Sequence, residues 1–119
     1  MRAEERDAAY LWDMLQAARD ATATVAGIDE QQLQRDRMRM LALERSMELI
    51  GEAARRVSSS FREKHPEIPW KEMIGLRNIL AHEYGRVDHA QLHAQLHATA
   101  IKDVPALIAA LEKLLPLEK

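Results

Sequence analysis

No cysteine occurs among the 119 residues, so neither disulfides nor thiolate metal sites are available. Aromatic residues are scarce, with two Trp, two Tyr and one Phe, and β-branched runs are few. Ala, Leu, Glu, Arg and Gln fill the chain instead, a composition that favours an all-α protein. No apolar run is long enough to span a bilayer and no signal-peptide pattern opens the chain, so a soluble, cytoplasmic protein with no membrane partner is expected. The length suits one domain, residues 1–119, and a chain this short often completes its burial by oligomerising.

A strong charge of one sign is also missing. The net charge of −2 argues against a generic nucleic-acid coat. The distribution is nevertheless uneven: residues 1–30 carry three basic and seven acidic side chains, whereas residues 31–65 carry eight basic and five acidic ones. A basic second segment can meet a phosphate backbone. The plainer alternative is the solvated face of a helix.

Helical periodicity runs through most of the sequence. Leu11, Met14, Leu15, Ala18 and Val25 share one face of a first helix expected from Ala3 to about Ala26, with Gly27 as its C-cap. Asp29 is placed to cap a second, long helix over about Glu30 to Ser60. Its seam is written in two interlocked heptad series, Leu33, Met40, Met47, Ala54, Phe61 and Leu43, Ile50, Val57. The three serines at 58–60 and the segment Lys64-His65-Pro66-Glu67-Ile68-Pro69 then break the pattern as a loop. A third helix starts near Trp70 and is expected to end at Gly85. Asp88 caps a fourth with Leu92 and Leu96 inward, and Asp103 with Pro105 opens a fifth, which Pro116 stops; the alternative is one helix kinked at Pro105. The expectation is an antiparallel helical bundle of four to five helices.

The third helix carries the chemistry. Within Trp70–Asp88, the residues Arg77, Asn78, His82 and Tyr84 set a cation, an amide, an imidazole and a phenol on a helix that is apolar nearly all round. Such a helix is usually buried in a fold or an interface, and a guanidinium there is costly unless paired or used. Arg77 and Tyr84 are seven apart and share a face on a regular helix. Asn78 and His82 are four apart, so the amide could fix the imidazole tautomer. Arg77 and His82 lie roughly 140° apart around an ideal helix. They converge only if the helix ends between them or a second subunit contributes. Glu52, beside the small Gly51 on the second helix, could reach this region and pair with Arg77.

Neither Ser nor Cys stands in a nucleophile context, and no carboxylate cluster suggests two-metal chemistry. His with Arg suits cleavage of RNA, whose 2′-hydroxyl supplies the nucleophile: the imidazole moves a proton and the guanidinium neutralises charge on the phosphoryl oxygens. The alternative on spacing alone is a helix-terminal Arg and His satisfied by carboxylates.

Three segments together give a more specific signal: Gly51–Ala54 (GEAA), Pro66–Trp70 (PEIPW) and Gly75–Asp88 (GLRNILAHEYGRVD). With the order of elements and a closing Asp103–Leu107 helix start, they resemble HEPN-domain proteins of the HepT toxin family over nearly the whole chain. The resemblance implies a homodimeric, metal-independent endoribonuclease without a cofactor, encoded beside a minimal nucleotidyltransferase antitoxin. It implies Arg77 and His82 as catalytic and Tyr84 as the residue to which the antitoxin adds AMP; Asn78 and Glu52 are the supporting residues that the spacing suggests. The competing reading is a non-catalytic helical module that presents the same helix to a nucleotide or a nucleotidyltransferase.

The remaining features are plainer. His89, His93 and His97 occur at i, i+4, i+8, a metal-ligand spacing, but a repeated polar face flanking Leu92 and Leu96 explains them as well. His65 is expected in a solvated loop. Trp70 is expected as a core anchor rather than a base-stacking platform.

Overall fold

The computed structural model describes residues 2–115. Among these residues every regular element is helical: α1 (Ala3–Val25), α2 (Glu30–Gln34), α3 (Arg37–Arg56), α4 (Ser59–Lys64), α5 (Trp70–His82), a 3₁₀ turn (Tyr84–Arg86), α6 (His89–Lys102) and α7 (Val104–Leu114). The expected all-α architecture is present, with more and shorter helices than the four to five anticipated.

The difference lies mostly in the second helix, which is divided into α2, α3 and α4. Asp29 opens α2 as expected, in a reciprocal capping box with Gln32. The Asp36 carboxylate then accepts the backbone N–H of Arg39 at 3.0 Å and starts α3 afresh. At the far end Val57 is extended, and the Ser58 hydroxyl accepts the N–H of Phe61 at 3.2 Å to begin α4. Short polar side chains that bond nearby backbone compete with helix continuation, and here they win twice. Asp7 of α1 secures the second break by accepting both the N–H (2.9 Å) and the hydroxyl (2.7 Å) of Ser58.

The heptad seam survives these breaks. Leu33, Met40, Leu43, Met47, Ile50, Ala54 and Val57 are all buried, and Phe61 packs edge-on against Trp70. Trp70 itself is buried and donates its indole N–H to the His65 carbonyl at 2.9 Å, which confirms it as an anchor. His65 is less solvated than expected, because its ring lies 4.3 Å from that of Phe61.

Helix α1 is antiparallel to α3. Asp7 meets the end of α3 at Ser58, while the Thr24 carbonyl receives Arg39 from its start. On the opposite side α5 packs along α3, also antiparallel, since Arg77 reaches Glu52 and the later Tyr84 reaches the earlier Glu44. Helix α7 lies against α1, with Arg19 and Glu112 paired at 2.9 Å. Gly27 has a φ of +75° and ends α1 in the left-handed region that favours glycine. Asp88 caps α6 through the Gln91 N–H as expected. Asp103 separates α6 from α7. Pro116 lies outside the described residues.

Helix α5 stops at His82, earlier than anticipated. Glu83 leaves the helical region and the chain tightens into the 3₁₀ turn, so Gly85 sits inside the turn with no positive φ. Two side-chain bonds hold this turn: Tyr84 is tied to α3 through its hydroxyl and to α6 through its carbonyl.

Candidate active site

Gly51 brings α5 close enough to α3 for Arg77 to be used. A Cβ on Gly51 would overlap both the Arg77 Cβ and the Met73 carbonyl oxygen. Across this contact Arg77 Nη2 reaches Glu52 Oε1 at 2.9 Å, the pairing the sequence suggested. Its Nη1 donates to Asn78 Oδ1 at 3.0 Å and lies 3.4 Å from His82 Nε2. The Arg77 Nε is buried and has no hydrogen-bond partner among the described residues.

These distances correct two expectations. Arg77 and His82 meet within one chain on a helix that runs through both, because the long guanidinium arm spans the angle between them. The Asn78 carbonyl oxygen engages Arg77 rather than the imidazole. A guanidinium can only donate, so its approach to Nε2 selects the neutral imidazole with its proton on Nδ1. In that form the single Nε2 lone pair accepts from Arg77, and the imidazole can take a proton there once a phosphate draws the guanidinium away.

Glu52 gathers more than one cation. Arg55 meets its two oxygens at 3.1 Å each, and Arg56 meets Oε2 at 3.0 Å. The hydrogen bond from Arg55, reinforced by Arg56 and by the Arg77 charge, holds the Glu52 carboxyl down at about 2. Three guanidiniums around one carboxylate leave a local surplus of positive charge, and Arg77 is only 17% exposed within it. A phosphodiester anion is the natural guest of such a cluster. Arg55 and Arg56 escaped the sequence reading, although their i+3 and i+4 spacing from Glu52 signalled them.

Tyr84 belongs to a different place. The seven-residue relation to Arg77 lapses once α5 ends at His82, and the phenol donates to Glu44 Oε2 at 2.8 Å. Glu44 precedes Glu52 by eight residues on α3, a rise of about 12 Å. Burial, then the hydrogen bond and charge of Glu44, push the phenol pKa upward, with Arg37 opposing. The same Glu44 oxygen receives His93 Nε2 at 2.8 Å, and the His89 ring lies 4.3 Å from that of Tyr84.

Comparison with known proteins identifies the family. The family model described as "Ribonuclease HepT-like" matches residues 14–114. The chain belongs to the HepT-like ribonuclease family. The HepT-like relatives include "Putative RNase TTE0752" of Caldanaerobacter subterraneus subsp. tengcongensis, 36% identical over 92% of this chain and 95% of that protein. "Putative RNase MJ1380" of Methanocaldococcus jannaschii is 44% identical over 71% of this chain and 77% of its own length. "Probable ribonuclease HepT" of Thermococcus cleftensis is 39% identical over 66% and 68%. No solved structure matches.

In this HepT-like fold the histidine tract of α6 has a tertiary role that its spacing concealed. His89 Nε2 bonds the Tyr84 carbonyl at 2.6 Å, His93 bonds Glu44, and His97 Nε2 bonds the Ile28 carbonyl at 3.0 Å. The three imidazoles are thus committed to three different acceptors. Among the described residues no group of three or more His, Cys, Asp or Glu is arranged to hold a metal ion. No described helix is long and apolar enough to cross a membrane.

Proposed function

We propose that this chain is a metal-independent endoribonuclease that needs no cofactor and acts as the toxin of a two-gene module in the cytoplasm. The observation that carries the chemistry is the approach of the Arg77 guanidinium to His82 Nε2, at 3.4 Å, inside the positively charged cluster around Glu52. In this reading the scissile phosphate of RNA sits against Arg77. His82 Nε2 takes the proton of the adjacent 2′-hydroxyl, whose oxygen attacks phosphorus and expels the 5′-oxygen of the next nucleotide. Arg77 neutralises the charge that grows on the non-bridging oxygens, and Glu52 and Asn78 hold its fork in place.

The active species is a homodimer in this proposal. The support is the surface of α5, whose Met73, Ile74, Leu76, Ile79 and Leu80 stay only half-buried in the single chain. Paired α5 helices would bury them and set two sites side by side.

Control is assigned to Tyr84, through AMP added by a minimal nucleotidyltransferase antitoxin. The phenol is bonded to Glu44, eight residues before the Arg77 partner on α3, so an adduct would start away from the guanidinium. Modification would instead remove the O–H that Glu44 accepts and set a phosphodiester anion near that carboxylate. The turn after His82 would lose one of its two side-chain anchors, which would loosen the placement of His82.

The test is cleavage of RNA by purified, unmodified protein. Arg77→Ala and His82→Ala should each abolish cutting with helical circular dichroism intact. Cleavage should persist in excess chelator and fail where the 2′-hydroxyl is replaced by hydrogen. Activity lost in chelator and restored by a divalent metal would defeat the metal-free mechanism.

A further inference from the structure

Tyr84, Glu44 and His93 form a second polar centre, separate from the arginine cluster. It comes from three elements: the 3₁₀ turn, α3 and α6. Glu44 Oε2 accepts the Tyr84 hydroxyl and meets His93 Nε2, both at 2.8 Å. Glu44 is nearly buried, at 9% exposure, yet the group is not sealed. A crevice of about 270 Å³ opens onto it, lined among others by Arg37, Met40, Leu41 and Tyr84.

A carboxylate buried among apolar seam residues costs free energy unless its lone pairs are used. As a tether for the turn, a neutral acceptor such as Gln would serve with less desolvation. What a carboxylate adds is basicity, directed here at a phenol oxygen that faces an open crevice. Burial and Glu44 also hold the phenol pKa above its ordinary value, so the free phenolate is scarce near neutrality and attack by this oxygen requires a base.

We propose that Glu44 is the built-in general base that makes Tyr84 a nucleophile toward a nucleoside triphosphate, with His93 fixing the carboxylate and Arg37 flanking the entering phosphate. The charged and titratable groups facing the phenol are therefore Arg37 and Glu44 from α3 and His89 and His93 from α6. In the reaction, Tyr84 Oη forms a bond to the α-phosphorus, the bond from that phosphorus to the β-phosphate bridging oxygen breaks, and pyrophosphate leaves. The phenolic proton passes to Glu44 Oε2 along the existing hydrogen bond and then to solvent. The enzyme that binds the triphosphate supplies the metal and the site. This protein would supply both the acceptor oxygen and the base, an assignment that rests on the reading of Tyr84 as the modified residue.

The activation can be measured without that enzyme. N-acetylimidazole acetylates nucleophilic tyrosines, and Tyr10, which interacts with Arg56, is an internal reference. Peptide mapping of the full chain should show Tyr84 acetylated faster than Tyr10. Glu44→Gln should slow Tyr84 about tenfold or more and leave Tyr10 unchanged. The wild-type Tyr84 rate should level off across neutral pH, whereas in Glu44→Gln it should climb about tenfold per pH unit, as phenolate formation demands. An unchanged or faster Tyr84 in Glu44→Gln would overturn the proposal and leave Glu44 a tether. Should that variant unfold, the wild-type profile decides: a rate proportional to hydroxide throughout also overturns it. Transfer of AMP from ATP by a co-expressed minimal nucleotidyltransferase forms a second arm. Slower AMP addition in Glu44→Gln supports the base. An activated Tyr84 that never receives AMP defeats the modification reading and leaves the base assigned.

Discussion

Gly51 and Arg77 occupy complementary positions: the glycine lacks the one atom that would collide with the Cβ of the arginine. The position of the guanidinium therefore depends on a missing methyl on another helix. Gly51→Ala should force α5 away from α3 and cost about 1–3 kcal/mol, read as a lower urea midpoint. Because α5 carries Arg77 and His82, RNA cleavage should fall further than the fraction unfolded accounts for.

Glu52 links this site to pH. Its carboxyl is held at about 2 in the folded chain, against an ordinary 4.5. A depressed acid stabilises the fold fully above its unfolded pKa, and the contribution disappears as pH falls through the folded value. Wild type and Glu52→Gln should therefore differ in thermal stability by a constant amount above about pH 5, and the gap should close between pH 4.5 and 2. Melting curves by circular dichroism across that range would check it.

Arg55 and Arg56 are exposed and face Glu52 beside Arg77. Each is expected to meet substrate phosphate. In a His82→Ala background, which removes cutting, Arg55→Ala should weaken RNA binding evenly across sequences. The slope of log K against log salt should fall by about 0.7, the value for one lost single-strand phosphate contact. Fluorescence anisotropy at several salt concentrations gives that slope.

The Asp7–Ser58 link joins residues 51 apart and closes the start of α1 over the end of α3. Asp7→Ala should leave the part-buried Ser58 N–H without its acceptor and cost about 1–3 kcal/mol in urea unfolding. Specific activity of the folded fraction should be unchanged, since among the described residues the Asp7 carboxylate bonds Ser58 and no member of the arginine cluster.

Much of this organisation was readable in the chain because it is local or periodic. The seam from Leu33 to Val57, the caps Asp29 and Asp88 and the anchor Trp70 follow from spacing and side-chain type. The division of the long helix was not readable, because Asp36 and Ser58 look like ordinary polar positions until their caps form, and Asp7 is remote in sequence. The convergence of Arg77 on His82 was hidden by treating helix direction as side-chain reach. The Tyr84–Glu44–His93 centre was least accessible: its members are 40 and 49 residues apart and no periodicity connects them.

The histidine bonds of α6 have a consequence for how that helix finds its place. The segment His89–His97 repeats as His-Ala-Gln-Leu, and sliding α6 by four residues would set Leu on Leu and His on His. Its interior is therefore translationally degenerate at one helical turn, about 6 Å. The native position is fixed from outside the repeat: by buried Ala100, which a slide would exchange with Leu96, and by the Asp88 cap and the Asp103–Pro105 start of the next helix. Alignment of His93 with Glu44, and so of the acidic oxygen with the Tyr84 phenol, is decided by the ends of α6 rather than by the residues that make the contact.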